Sequence, residues 1–196
     1  MLTVVTPASS ADLATLDSVK AALGVTDSSE DGTLSPLIAR ASAAISAYCN
    51  RTFALETVEE SFGTVRGGVV LGRYPVTSIT SVSENGIPIG TAEYEADLRI
   101  GVIDRTLLMD PGGRFDRGRT VVRYTAGYAL DDMPSDIVQA LVLLVAHFRS
   151  ANGRDPLLRA EETTDIERLE YFIPTDQALP GPVRALLDPH RKPSGF

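Results

Sequence analysis

VVRYTAGYALDDMPSDIVQALVLLVAHFR, residues 121–149, changes its period half-way, and that change decides the fold class. From Thr120 to Thr125, β-branched and aromatic residues alternate with polar ones, which reads as a strand. Gly127 ends it, because glycine accepts backbone angles that other residues resist. Asp131-Asp132-Met133-Pro134-Ser135-Asp136 then announces a helix. A proline is tolerated in a first turn, Ser135 or Asp132 can cap the free N–H groups, and the carboxylates suit the positive end of the helix dipole. From Ile137 to Phe148 the helix is apolar almost all round, so it is buried on several sides. The spacing predicts a central helix over 135–150, packed within the domain or between subunits.

Outward from this stretch, two more helices are expected. Leu13, Leu16, Val19 and Leu23 recur at helical spacing over 13–24, with Gly24 as the C-cap. Leu34, Leu37, Ile38, Ala41, Ala44, Ile45 and Tyr48 do the same over 33–50, ending at Asn50-Arg51. The two read as an antiparallel pair. Residues 1–11 are small and polar, an arm that orders on contact. Between 55 and 125 the period falls to two, with turn signals at Arg66-Gly67-Gly68, Tyr74-Pro75, Asn85-Gly86 and Asp110-Pro111-Gly112-Gly113. Asn85-Gly86 is a strong hairpin signal, since both residues tolerate positive φ. The fold class is therefore α+β: a helical core with a small antiparallel sheet or barrel inserted into it. The main body is expected over 1–150. Over 151–196 an extension follows, with one short helical candidate at Thr164–Tyr171. Prolines 180, 182, 189 and 193 then punctuate the chain, and the final stretch is basic. Pro182 is placed to open a short helix, Val183–Leu187; beyond that, the stretch reads as either a disordered tail or an arm that docks on a partner.

Composition narrows the function classes. The 196 residues suffice for one domain with a real core, and 43% hydrophobic with 22% charged residues is ordinary for a globular chain. A net charge of −8 argues against broad binding to nucleic acid, which needs basic surface. The single cysteine, Cys49, rules out an internal disulfide and a cysteine-based zinc site, and it falls on a buried helix face. No signal peptide is read at residues 1–5, and no apolar run is long enough to span a bilayer, so no membrane partner is expected. The catalytic inventory is thin. His147 lies inside the apolar helix as a packed or interfacial residue, and His190 lies in the tail as a solvated or docking one. No H-E-x-x-H, no G-x-S-x-G and no phosphate loop is present; Asp110–Arg119 reads as a hairpin tip. Glu59-Glu60 and Glu161-Glu162 are adjacent pairs whose side chains diverge, and Asp27–Gly32 reads as a solvated acidic turn. No enzyme, cofactor or metal is expected.

Four segments in this order carry a resemblance: Leu37–Arg51 (LIARASAAISAYCNR), Arg73–Val82 (RYPVTSITSV), Val121–Tyr128 (VVRYTAGY) and Met133–Ile137 (MPSDI) opening the long helix. Their arrangement resembles the head–tail connector (adaptor) family of tailed bacteriophages and gene transfer agents, over roughly Leu13 to Arg149. The resemblance implies a non-enzymatic structural protein of the neck of a virion or phage-like particle, assembled in a bacterial host's cytoplasm. It implies a ring, commonly of twelve copies, beneath the portal protein. Such a ring extends the DNA channel, passes DNA without sequence-specific binding and meets the next neck or tail protein. It also implies portal docking by the C-terminal segment, here Pro182, Val183, Arg184, Leu186, Leu187, Arg191, Lys192 and Phe196. A ring subunit needs two different apolar patches; the expected subunit-interface residues are Leu37, Ala41, Ile45 and Tyr48 on one helix, and Leu141, Leu144 and Phe148 on the other. The competing readings are another neck or tail-completion protein, a small β binding module and, last, an enzyme. A chain with no tryptophan and few aromatics is poorly supplied for an aromatic-lined cleft.

Overall fold

The structure, a computed structural model, describes residues 1–63, 68–105, 115, 118–151, 160–163, 167–170 and 179–192. The chain divides into two compact units, Met1–Ala11 with Arg51–Asp132, and Asp12–Asn50 with Met133–Phe196.

The first unit is built of antiparallel strands: β1 (Leu2–Thr6), β2 (Glu56–Phe62), β3 (Val69–Val70), β4 (Val76–Glu84), β5 (Ile87–Ile89), β6 (Tyr94–Asp97), β7 (Val102–Arg105) and β8 (Thr120–Ala126). Five of them form one sheet in the order β1-β2-β8-β4-β5, and three form another in the order β3-β7-β6. Both sheets are open, so among the described residues the insertion is not a closed barrel. At the centre, β8 pairs with β2 on one side and β4 on the other. Its residues obey the expected alternation: Thr120, Val122, Tyr124 and Ala126 are buried, while Val121, Arg123 and Thr125 stay partly exposed. Val122, Tyr124 and Ala126 meet Val58, Val82, Ile103 and Phe115 in one core. The β4–β5 hairpin turns at Asn85 and Gly86, with φ of 51° and 78°, as the dipeptide predicts. Past β8, Gly127 sits at φ 109°, where a Cβ would lie 2.4 Å from the Ala54 carbonyl oxygen. Only glycine fits there, and Tyr128 N–H then donates to the Phe53 carbonyl at 2.7 Å.

The expected N-terminal arm is instead strand β1. It pairs with β2, Leu2 opposite Glu60 and Val4 opposite Val58, with an irregularity between Val4 and Thr6. Leu-Thr-Val-Val-Thr is rich in β-branched residues, and that stiffness favours the extended chain once an edge is available.

Among its described residues the second unit holds four helices: α1 (Leu16–Leu23), α2 (Asp31–Cys49), α3 (Ser135–Ala151) and α4 (Gly181–Leu187). Thr15 caps α1 by accepting from Ser18 N–H at 3.1 Å, and Gly24 closes it at φ 72°. Asn50 closes α2 at φ 50°. Along α2, Leu34, Ile38, Ala41, Ser42, Ile45 and Cys49 are buried on one face. The Ser42 hydroxyl accepts from Leu13 N–H at 3.1 Å and ties the segment before α1 to α2. The buried residues of α3 are Ile137, Ala140, Leu141, Val142, Leu144 and Val145.

Two expectations for the C-terminal part change. Within the helical candidate Thr164–Tyr171, the described residues Glu167–Glu170 form strand β10, paired with β9 (Ala160–Thr163) so that Arg168 lies opposite Glu162. Eight residues are too few to repay helix nucleation without burial against a neighbour. Residues 179–192 are not an extended arm. The expected short helix does form as α4, followed by a 3₁₀ turn at Asp188–His190, and both belong to the helical unit. Leu179, Val183 and Leu187 are buried there, giving the segment an apolar anchor of its own. Leu187→Ala is therefore expected to lower stability by about 2–5 kcal/mol, and Leu186→Ala by about 1 kcal/mol or less. Urea unfolding of both variants checks this; equal effects would mean that α4 is not part of the core.

Candidate interaction surfaces

The C-terminal segment is held to the helical unit by polar contacts as well as by its apolar residues. Asp188 accepts a hydrogen bond from the Tyr48 hydroxyl at 2.6 Å, and the Arg191 guanidinium lies 4.9 Å from the centre of the same ring. Lys192 N–H donates to the Cys49 carbonyl at 2.9 Å, which continues the chain along the end of α2. His190 Nε2 sits 2.5 Å from Asp136 Oδ2 in the first turn of α3. Burial raises the Asp136 pKa, but the hydrogen bond and charge of His190 outweigh it and hold the carboxyl below the usual carboxylate value. Asp188 raises the Tyr48 pKa by accepting its proton in a hydrogen bond.

These contacts sort the docking residues read from the sequence. Val183 and Leu187 are buried in their own unit and are unavailable to a partner while the unit is folded. Pro182 and Arg191 are exposed, and Arg184, Leu186 and Lys192 are half-buried. Phe196 lies outside the described residues. The subunit-interface set divides the same way. Ala41, Ile45, Leu141 and Leu144 are buried within the helical unit, so helical spacing marked the unit's own core at these positions. Leu37, Tyr48 and Phe148 are half-buried and keep surface. Phe148 lies under the Arg40 guanidinium, 4.2 Å from the ring centre, and nearby Arg149 pairs with Glu30 at 2.7 Å. His147 is half-buried on α3, and Cys49 is buried.

Charge inside the sheet unit is paired. Arg105 donates to Glu84 at 2.9 Å and to Glu93 at 3.0 Å, with its guanidinium 5.7 Å from the Phe115 ring centre. Burial alone would lower the Arg105 pKa; the two carboxylates reverse the sign. Glu60 Oε2 accepts from both the Tyr124 hydroxyl and Gly72 N–H at 2.8 Å. Arg73 N–H donates to the same hydroxyl oxygen at 3.1 Å. These carboxylates position loops against the sheet. Among the described residues no cluster of His, Cys, Asp or Glu is arranged to hold a metal ion. The shallow hollow beside the β4–β5 turn is lined, among the described residues, by Ser83, Asn85, Gly86, Arg119 and Val121, none of them a carboxylate, histidine or thiol.

Residues 12–193 match the sequence profile of a family described as head completion protein. The chain belongs to that family. No curated protein sequence matches it. Its fold is similar to that of a chain from the neck of an empty gene transfer agent particle solved with sixfold symmetry. The TM-score is 0.62 and the identity 19%, covering 100% of this chain and 97% of the other. A chain from the neck of the native particle, solved with twelvefold symmetry, gives the same values. A chain from the native virion gives a TM-score of 0.60 at 21% identity, over the same coverage. At these identities the likeness is one of fold.

In this head completion protein, the surface that sequence reasoning missed is the β1 edge. The β-branched run at 3–6 was the available signal, and the small polar residues around it obscured it. The buried hydroxyl of Tyr124 also escaped notice, because nothing local to the strand shows that Glu60 faces it. Burial, then the charge of Glu60, raises the Tyr124 pKa well above its ordinary 10.0. The folded chain thus keeps a proton that the unfolded chain releases near pH 10. The contribution is complete below that pH and declines as pH rises above it. Urea unfolding from about pH 9 to pH 11 should show a steeper loss for the wild type than for Tyr124→Phe; parallel curves would refute the assignment.

Proposed function

We propose that this head completion protein is a structural connector of the neck of a phage-like particle, joining head to tail as one subunit of a ring. The observation that carries the reading is family membership over residues 12–193, supported by the fold shared along the whole chain with gene transfer agent neck subunits. Twelve copies are the expected number, on the strength of the resemblance and of the twelvefold symmetry of one of those necks. The partners are further copies of the chain, the portal protein, and the next neck or tail protein.

Surface left over after folding is what such a ring has to work with. Leu37, Tyr48 and Phe148 are half-buried apolar or aromatic positions of the helical unit, suited to a neighbouring subunit. Pro182, Arg184, Leu186, Arg191 and Lys192 form the part of the C-terminal segment suited to the portal, presented by a docked helix. The net charge of −8 fits a wall along which DNA passes without being held, since phosphate binding needs basic surface. The role is non-enzymatic, consistent with carboxylates that are engaged in ion pairs and hydrogen bonds.

The test is negative-stain electron microscopy of the chain mixed with the portal protein of its own particle, beside each alone. A second ring stacked axially on the portal is expected. A bare portal at high chain concentration would overturn the portal-bound ring and favour a tail-completion role, to be tried next with tail tubes. Leu37→Glu should abolish the stacked ring while leaving circular dichroism and the unfolding midpoint close to wild type. Intact rings from that variant would remove Leu37 from the interface.

A further inference from the structure

The two outer edges of the five-stranded sheet are unlike. At β5 the edge is three residues long and contains Pro88. Glu84 and Ile87 flank the two-residue turn as a pair, and Ser83 lies opposite Pro88. In such a hairpin the flanking pair bonds across the ladder, and the next residue turns its backbone outward. Proline has no N–H, so this edge lacks an outward donor at that position.

β1 carries no such device within its own sequence. Met1 exchanges both bonds with Ser61: its amine donates to the Ser61 carbonyl at 2.7 Å, and Ser61 N–H donates to the Met1 carbonyl at 2.8 Å. By alternation Thr3 faces β2, while Leu2 and Val4 turn their N–H and C=O groups away from it. The strand Leu2–Thr6 has neither a charge nor a proline. Val4 and Val5, neighbours on a strand, are 42% and 43% exposed. Folded proteins block free edges with charge, proline or a cover, because a bare edge templates pairing. The same chain carries β9–β10, a hairpin with no third strand among the described residues. Two strands alone are marginal in water. Each strand of that hairpin contains two glutamates, whereas β1 carries no charge, so docking on β1 sets no like charges together.

We propose that β1 is a strand-docking edge whose occupant is the β9–β10 hairpin of a second copy of this chain. Two different surfaces meet, so the contact is head-to-tail and suits ring closure over a closed pair. The inference rests on the ring reading above, and supplies the backbone hydrogen bonds that the half-buried apolar positions of the helical unit do not.

The experiment uses the full chain assembled on its portal. Val4→Pro removes an outward donor and no ladder bond, so its unfolding midpoint should stay near wild type. Its association should weaken by roughly tenfold per contact. Thr3→Pro, which breaks a bond to β2, should instead lower the midpoint. In a second arm, Val4→Cys is combined in turn with a cysteine at each of positions 161–163 and 167–170, and the rings are oxidised. A ladder of disulfide-linked multimers from at least one pair is expected. Wild-type rings from Val4→Pro together with no ladder from any pair would overturn the proposal. Links between two Val4→Cys strands, or within one chain, would also overturn it, by naming another occupant. If the wild type forms no ring at all, the ring reading has failed, and that result is separate from any effect of the variants.

Discussion

Every backbone N–H and C=O of a buried strand must find a partner, and in the sheet unit that constraint falls on β8. It is the middle of five strands and meets β2 and β4 along its length. Its buried residues Thr120, Val122, Tyr124 and Ala126 supply the inner face, which a one-residue slip of the strand would turn outward. The neighbouring features follow from it. Gly127 exists because the chain leaving β8 passes against Ala54 more closely than a Cβ allows. Glu60 is anchored because, on β2, it lies diagonal to a tyrosine that β8 buries. The outermost strands are where the constraint lapses, and there the two edges differ in how they are finished.

In the helical unit the corresponding demand is apolar. Three helices bury Leu34, Ile38, Ile45, Leu141, Leu144 and their neighbours, and the short α4 adds Val183 and Leu187. Seven residues make a poor helix alone, so α4 depends on this burial and on the flanking bonds from Tyr48 and to Cys49. A segment that looks like a basic tail is thereby part of the fold. What it offers to another molecule is its outer side, and the energy of any docking comes from residues not already spent on the core.

A structural role agrees with this economy. The ionisable groups with displaced pKa values in the interior, Arg105 and Tyr124, are displaced by partners that also hold them in place. These groups tie strands and loops together. Family membership over residues 12–193 points to the same structural role, and the fold is shared with neck subunits at 19–21% identity.

The sequence by itself determined the elements whose signals are local. Helical spacing and the closing Gly24 and Asn50 placed α1 and α2, the proline and acidic residues before Ile137 placed the start of α3, Pro182 placed α4, and Asn85-Gly86 placed the hairpin. The order of four short segments was enough to point to a head–tail connector. Tertiary structure alone decided which apolar residues were core and which were surface. Ala41, Ile45, Leu141 and Leu144 have the same spacing as an interface would, and only packing against a particular neighbour separates the two. It also decided the fates of residues 2–6 and 167–170, since a strand is defined by a partner far away in the chain. For the same reason no local pattern could show that the last helix folds back, that His190 meets Asp136, or that β1 becomes the outermost strand of a sheet. Contacts across long sequence separations are set by the assembled core, which single-sequence periodicity does not encode.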